Sequence, residues 1–387
     1  MEGRLNPRLT ASPRSAIRQF AQLAAATPGC ISLTLGEPDF PTPLPVCDAA
    51  KASLDRGQTH YIPNNGSPAL CRAIAAFESE AHGLTYGPDE VIVTVGATEA
   101  LFTALLGILE PGDEVLVPTP AFVLYQCIVG IAGGVFVPVD TAKTGFQLTE
   151  AQLRAAVTAK TKAIVLNSHN NPTGCVLNEE SLAAVAQIAR EFDLFVLCDE
   201  VYRQLSYAPE IPQFSTRYPD LKDRVLVIQS FSKPYAMTGW RVGYLMADRP
   251  VKRQLEKLHQ YDVVSTVSFV QEACRAALRE DPSPMVETYR RRRDFALARL
   301  SEMGLSVVKP EGAFYIFPDI SPSGLSSGDF CRRMIAEAGV AAVPGFCFGG
   351  EGHIRLSYCC DDAVLAAGLD RLSAFVDKLK GEGSWNF

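Results

Sequence analysis

The sequence predicts an α/β fold: a mostly parallel central sheet with helices on both faces, joined to a smaller α+β domain. Three observations predict it. Short apolar, β-rich runs recur along the first two thirds of the chain. They are continuous rather than alternating, as expected of strands buried on both faces. Helix-like segments separate many of them. At 387 residues the chain also exceeds a typical single domain, so a large core plus a second domain is the expectation from size.

The strand runs are "VIVTV" (91–95), "EVLVP" (114–118), "VFVPV" (135–139), "AIVLN" (163–167), "LFVLCD" (194–199), "VLVIQS" (225–230) and "YLMA" (244–247). Between two of them, "SLAAVAQIAREF" places Leu182, Val185, Ile188, Ala189 and Phe192 on one side of a helix, as a βαβ unit requires. "ATEALFTALLGILEPGDE" begins with Thr98 and Glu99 and stops at Pro111-Gly112, matching helix-end preferences. The uncharged stretch 121–139 is long enough to raise a membrane span. It contains Gln126, Gly130, Gly133, Gly134 and Pro138 and reads better as helix, turn and strand. "DPSP" (281–284) then interrupts, a charged helix follows, and "LSVVKP" and "GAFYIFPDI" give the C-terminal part its α+β texture. The Pro-rich opening, through "GEPDFPTPLP", is expected to pack with that part. The expected domains are therefore 45–284 (large) and 1–44 with 285–387 (small).

A formal charge of −7, with 47% hydrophobic and 20% charged residues, suits an ordinary globular protein and argues against a general nucleic-acid binder. The basic run 290–293, in "ETYRRRRDFALARL", reads as a solvated helix face. Eleven scattered cysteines without C-x-x-C suit reduced thiols in a cytoplasm rather than a disulfide frame or zinc site. The five histidines are isolated and no H-E-x-x-H occurs, so no metal centre is expected. The opening "MEGRLNPRLTASPRSAIRQF" has no apolar signal core. A soluble cytoplasmic protein, without membrane or nucleic-acid partners, is the expectation.

Ligands of open α/β sheets bind beyond the carboxyl ends of the strands, and several polar residues fall there. Asp199 ends "LFVLCD" and precedes Glu200 and Tyr202. Asn171 follows "AIVLN". "GATEA" follows "VIVTV" and opens a helix whose backbone N–H groups could hold a phosphate. Ser230 and Lys233 follow "VLVIQ", and Arg241 comes eight places after that lysine. Singly, Asp199 and Asn171 read as turn or cap residues, Phe122 as core and Arg241 as a surface cation. Together they fit one ligand, pyridoxal phosphate. Its aldehyde needs a lysine for a Schiff base, and its pyridine nitrogen needs a carboxylate to stay protonated and act as an electron sink. Its phosphate needs hydroxyls, a helix N-terminus and a cation. Lys233, Asp199, Arg241 with Ser230, Asn171 with Tyr202 on the ring oxygen, and Phe122 on the ring face could supply these in turn.

"SFSKPYAMTGWRVGY", "NNPTG", "CDEVY", "LGEPDFPTP" and "IRLSY" resemble the signature stretches of the class I/II, fold type I, pyridoxal-phosphate aminotransferases, from about residue 4 to the C-terminal helix. The resemblance implies the Schiff-base lysine at Lys233, phosphate ligands at Ser230 and Arg241, and the pyridine partner at Asp199. It implies ring-oxygen groups at Tyr202 and Asn171, phosphate contacts from the backbone at Ala97 and Thr98, and a ring-stacking aromatic at Phe122 in "PAFVLY". Tyr61, in "HYIPNNG", resembles a tyrosine that reaches the phosphate in the neighbouring subunit, which implies a homodimer with shared sites. Arg355 matches the arginine that grips the substrate α-carboxylate, with Gly36 alongside. A guanidinium suits that task because its forked donors fit a carboxylate bidentately. His169 stands where many relatives have proline, and "FVLY" departs from the commoner "WVSY".

The implied reaction is ping-pong transfer of an amino group from an L-amino acid to a 2-oxo acid, with Lys233 as general base and acid. "LNPR", "IRQF", "HQY" and "GAFYIFP" look most like bacterial enzymes for aromatic amino acids or N-acetyl-diaminopimelate, with aspartate and alanine open. Two rivals remain at this point. A carbon–sulfur β-lyase would share the same anchoring residues, and a non-catalytic pyridoxal-phosphate-binding regulator would share the cofactor. A nicotinamide dehydrogenase is disfavoured because no G-x-G-x-x-G follows a strand; "GGEGH" (349–353) lies in the wrong context.

Overall fold

All seven apolar runs pair into one sheet in the computed structural model, which describes residues 2–11, 15–208, 210–383 and Trp385. The strands are β1 (Val91–Thr94), β2 (Glu114–Thr119), β3 (Val135–Asp140), β4 (Thr161–Leu166), β5 (Phe195–Asp199), β6 (Val225–Ser230) and β7 (Gly243–Ala247). Their spatial order is β1-β7-β6-β5-β4-β2-β3. Pairs among β2 to β6 are parallel, whereas β7 runs antiparallel to both β1 and β6. The carboxyl ends of β1, β4, β5 and β6 and the amino end of β7 therefore share one edge. Ser230 pairs with Gly243 there, and Asp199 lies beside Ile228.

Successive side chains alternate between two hydrophobic clusters. Val91, Val93, Leu116, Ile164, Leu166, Val196, Val225 and Val227 face one, with helices Pro68–His82 and Glu179–Glu191. Ile92, Val115, Val117, Ala163, Val165, Leu197, Leu226 and Ile228 face the other, with helices Gly96–Ile108 and Leu124–Ala132. Each face needs apolar residues, so the strands read as unbroken apolar runs. Each fully buried Val, Leu or Ile contributes roughly 1.5–3 kcal/mol relative to exposure.

A third cluster draws on Phe20, Ala24 and Leu33 and on residues from Met285 to Trp385, with Tyr202 and Leu205. Ile31–Ser32 pairs in parallel with Val340–Ala341. Ile354–Ser357 lies between Val343–Pro344 and Tyr315–Ile316 in a small antiparallel sheet. That sheet holds Arg355 and Tyr315 over the edge of the large one.

Several expectations need correction. The helix Gly96–Ile108 begins two residues before Thr98. Phe192 caps its helix and is 40% exposed, so it leaves the buried side that Leu182 and Ile188 occupy. "LSVVKP" forms no strand. The run 290–293 is not a solvated face: Arg292 and Arg293 are buried. Arg292 pairs with Asp39 and Asp362, and Arg293 pairs with Asp294 and donates to Pro310 O. Arg290 and Arg291 remain at the surface.

Beneath the sheet edge lies a buried ionic cluster. Arg203 pairs with Glu78 at 2.5 Å and Glu200 at 2.6 Å, and Tyr244 donates to Glu78. This cluster ties helix Pro68–His82 to the turn that follows Asp199. Removing one member strands the opposite charge in the interior, which costs about 3–5 kcal/mol. Arg203→Ala should therefore lower the unfolding free energy by that order, read as a lower denaturant midpoint. An unchanged midpoint would show that Glu78 and Glu200 find other partners.

Candidate active site

A cavity of about 370 Å³ opens at this edge, between the large sheet and the small one. It brings together Gly36, Ala97, Thr98, Phe122, Asn171, Asp199, Tyr202, Ser230, Lys233, Arg241 and Arg355. Tyr61 does not join them. It lies off the cavity and is 89% exposed.

Lys233 follows β6 on the loop to β7. It is partly buried, its Nζ donates to Gly36 O at 2.6 Å, and it sits 5.6 Å from the Phe314 ring. Burial lowers its amine to about 8. The approach to Gly36 is close on the other side too: a Cβ at Gly36 would meet the Tyr315 hydroxyl at 2.1 Å, so only glycine fits.

Asp199 is buried at the end of β5. Tyr125 O–H donates to its Oδ2 at 2.6 Å, and Asn167 Nδ2 donates to its backbone carbonyl at 2.9 Å. Its Oδ1 is buried without a protein partner and borders the cavity. Burial lifts the carboxyl to about 6, against the hydrogen bond from Tyr125, the nearby backbone N–H of Val201 and the charge of Lys233.

Tyr202 O–H lies 2.9 Å from Tyr315 O–H, and burial holds its phenol well above the ordinary range. It stays protonated and can donate. Asn171 is fixed through its backbone N–H on Asn167 Oδ1, and its own Oδ1 accepts from Arg355 Nη1 at 3.0 Å. Arg355 is buried over the Tyr315 ring, 4.6 Å away, and its Nη2 donates to Thr34 O at 2.6 Å. Its Nε has no partner. Among the described residues no carboxylate forms an ion pair with it.

Ala97 and Thr98 open the helix Gly96–Ile108 at the cavity wall. Arg241 bends over this turn in the left-handed region, φ 55°, and donates to Thr238 O. A Cβ at Gly96 would meet Arg241 Nη2 at 2.7 Å. Gly96, with φ 71°, thus lets the guanidinium and the helix start approach one anchoring point. Ser230 is buried, and its Oγ accepts from Ser232 N–H.

The residue reading missed Tyr125, Asn167, Tyr315, Thr34 and Arg18, all of which line the cavity. Tyr125 was detectable, since it stands three places after Phe122 in "PAFVLY". Asn167 closes the strand run that led to Asn171. Tyr315, Thr34 and Arg18 had no signal, because only the tertiary fold brings residues 15–36 and 315 to this edge.

The profile of the family described as aminotransferase class I and II matches residues 28–372. A probable N-acetyl-LL-diaminopimelate aminotransferase of Bacillus subtilis is 42% identical over 98% of this chain and 97% of that protein. An aspartate aminotransferase of Pyrococcus abyssi is 41% identical over 97% of this chain and 99% of that one. The solved aspartate aminotransferase of Thermus thermophilus with maleate superposes with a TM-score of 0.90 at 38% identity, covering 96% of this chain and 99% of that chain.

The two shifted groups set a pH expectation. Asp199 is raised in the fold, so its contribution to stability is present below its ordinary 3.8 and lost as pH rises through about 6. Lys233 is lowered, so its contribution is present above 10.5 and lost as pH falls through about 8. Between these values both side chains are charged in the ligand-free protein, at a cost. Asp199→Asn should melt higher than wild type near neutral pH in ligand-free protein, with the difference shrinking toward about pH 4. Equal melting temperatures across that range would show that the carboxylate is buried without cost.

Proposed function

The chain belongs to the class I and II aminotransferases and moves an amino group from an L-amino acid to a 2-oxo acid; from that premise we propose that pyridoxal 5′-phosphate works in the cavity at the sheet edge, held by Lys233. The observation that carries the reading is the buried, partnerless Oδ1 of Asp199, which borders the same cavity as the Lys233 amine. A carboxylate so placed calls for a cationic or N–H donor from a ligand. The donor set fits as well: the turn at Ala97 and Thr98, Ser230 and Arg241 suits a phosphate.

When bound, pyridoxal phosphate supplies an aldehyde that captures amines and a protonated ring that withdraws electrons. The chain does the rest. Lys233, with its amine brought to about 8, is neutral often enough near neutral pH to take a proton at Nζ from the substrate α-carbon and hand it back. Asp199 would keep the ring nitrogen protonated. Tyr202, as a neutral phenol, would donate to the ring oxygen beside Asn171, and Phe122 would cover the ring face. Arg355 receives the α-carboxylate, positioned by Asn171 and Thr34 and by the ring of Tyr315. Gly36 leaves room beside it. The two halves of a ping-pong cycle use the same groups in opposite order.

The reading keeps a large unit of 45–284 and a small unit of 1–44 with 285–387, supported by the cluster shared between Phe20, Leu33 and the C-terminal residues. It also keeps a cytoplasmic homodimer in which Tyr61 reaches the neighbouring site. The exposure of Leu44, Tyr61 and Tyr261, at 75%, 89% and 85%, supports that assembly. No helix among the described residues is long and apolar enough to cross a membrane. The donor is drawn from those named for the relatives: aspartate, aromatic amino acids or N-acetyl-LL-diaminopimelate.

Borohydride reduction of protein loaded with pyridoxal phosphate, followed by peptide mapping, should place the label on Lys233. A label elsewhere, or none, removes the cofactor assignment. Lys233→Ala should abolish turnover of a donor panel while the cofactor still binds. Arg355→Lys should lower kcat/KM by about 10²-fold for every donor, since a point charge replaces a fork. A loss confined to one donor would place Arg355 on the side chain instead.

A further inference from the structure

We infer that His259 is a positioning residue for the phosphate end of this site: a doubly protonated ring that fixes Glu99, and through it the turn at Ala97 and Thr98, to the segment that carries Tyr61. The inference rests on the pyridoxal phosphate reading.

His259 is wholly buried on helix Arg249–Val263, which contributes nothing to the cavity lining. Its Nδ1 lies 3.0 Å from Glu99 Oε1 and its Nε2 lies 2.7 Å from Asn64 O. A carbonyl can only accept. Glu99 is also accepting on both oxygens, from Thr103 O–H on Oε1 and from Val95 N–H on Oε2, each at 2.8 Å. A neutral imidazole has one N–H and would set a lone pair against one of these acceptors. Only the imidazolium satisfies both.

Two consequences follow for the site. Glu99 spans the start of the helix from Val95 to Thr103, so the N–H groups at Ala97 and Thr98 are held in one orientation. A carboxylate one residue from that turn would repel a phosphate, and the adjacent imidazolium cancels it. The other ring nitrogen secures Asn64, three residues beyond Tyr61 in "HYIPNNG". One side chain thus joins the turn that meets this chain's own phosphate to the segment whose Tyr61 reaches the neighbouring subunit's site in the proposed homodimer.

The surroundings favour the charged ring. Burial alone pushes its pKa down, but the hydrogen bond and charge of Glu99, with Asn64 O and Glu256, hold it above the ordinary value. Glu256 lies one turn earlier on the same helix and pairs with Lys252. Of the other elements packed against this helix, strand Val91–Thr94 brings no charged group and Gly243–Ala247 brings Tyr244. Pro88–Glu90 brings Asp89 and Glu90, paired with Arg249 and Lys222.

Full-length wild type, His259→Gln and the double variant Glu99→Gln/His259→Gln would be compared for pyridoxal phosphate dissociation constants between about pH 6 and 9. Histidine-selective nitrogen NMR would read the ring. Expected are a doubly protonated His259 in wild type at neutral pH, and affinity about tenfold weaker in His259→Gln. That ratio should shrink as pH rises through the ring's pKa, and the double variant, without an unpaired carboxylate, should recover most of the loss. A packing defect alone would not be repaired by Glu99→Gln. A neutral ring at neutral pH, or His259→Gln binding as tightly as wild type throughout, overturns the inference; the NMR result decides even if the variants fail to fold. Wild type that binds no pyridoxal phosphate, with a doubly protonated ring, would remove the cofactor reading instead.

Discussion

A sheet covered on both faces has only its strand ends left for polar chemistry, and the rest of this structure follows from that constraint. Along the middle of the strands the buried side chains are apolar and pack against one layer of helices or the other. The buried polar ones, Thr94, Thr119, Asp199, Gln229 and Ser230, sit at the carboxyl ends. Charged groups are therefore delivered to the turns beyond the strands, and the strand order decides which turns are neighbours. Asp199, Asn171, Ser230 and the helix start at Gly96 meet because β1, β7, β6, β5 and β4 are adjacent, not because they are close in sequence.

Concentrating charge at a partly closed edge is unfavourable unless each group is satisfied. The protein meets this in two ways. Arg203, Glu78, Glu200 and Tyr244 are tied by hydrogen bonds and ion pairs beneath the site, with Arg203 Nε left without a partner, and His259, Glu99 and Asn64 are joined beside it. Within the cavity the groups are left open: an oxygen of Asp199, the Nε of Arg355 and an amine resting on a single carbonyl. The tied sets hold the backbone still so that the open groups keep their places. Rigid support under unsatisfied groups is what preorganises a site.

Much of this was legible in the sequence. The strand runs could be read because burial on both faces confines polar residues largely to the strand ends. The lysine stretch was legible because a cation in apolar surroundings demands a reason. Other features were not legible, each for a physical cause. Arg292 and Arg293 look solvated in "RRRR" because their partners Asp39, Asp362 and Pro310 O come from other segments. The reversal of β7 leaves no mark, since strands in either direction are equally apolar. Tyr315 and Thr34 serve the cavity through the fold of the small sheet, which local periodicity does not encode. Tyr61 lies at the surface of one chain, and only the homodimer proposed above would bring it to a site.

The antiparallel pairing of β6 with β7 bears on how such a chain can change over time. The segment carrying both Lys233 and Arg241 leaves the sheet at Ser230 and re-enters at Gly243, two residues locked opposite each other on one rung. A loop tethered at both feet cannot absorb an added or lost residue by sliding, because slippage would turn every β7 side chain to the opposite face. Apart from Lys233 and Arg241 its residues can vary, whereas an added or lost residue has to be taken up inside the loop itself. Diversification of this scaffold should proceed by substitution within that loop and by length variation elsewhere, such as at the entrance formed by residues 15–36.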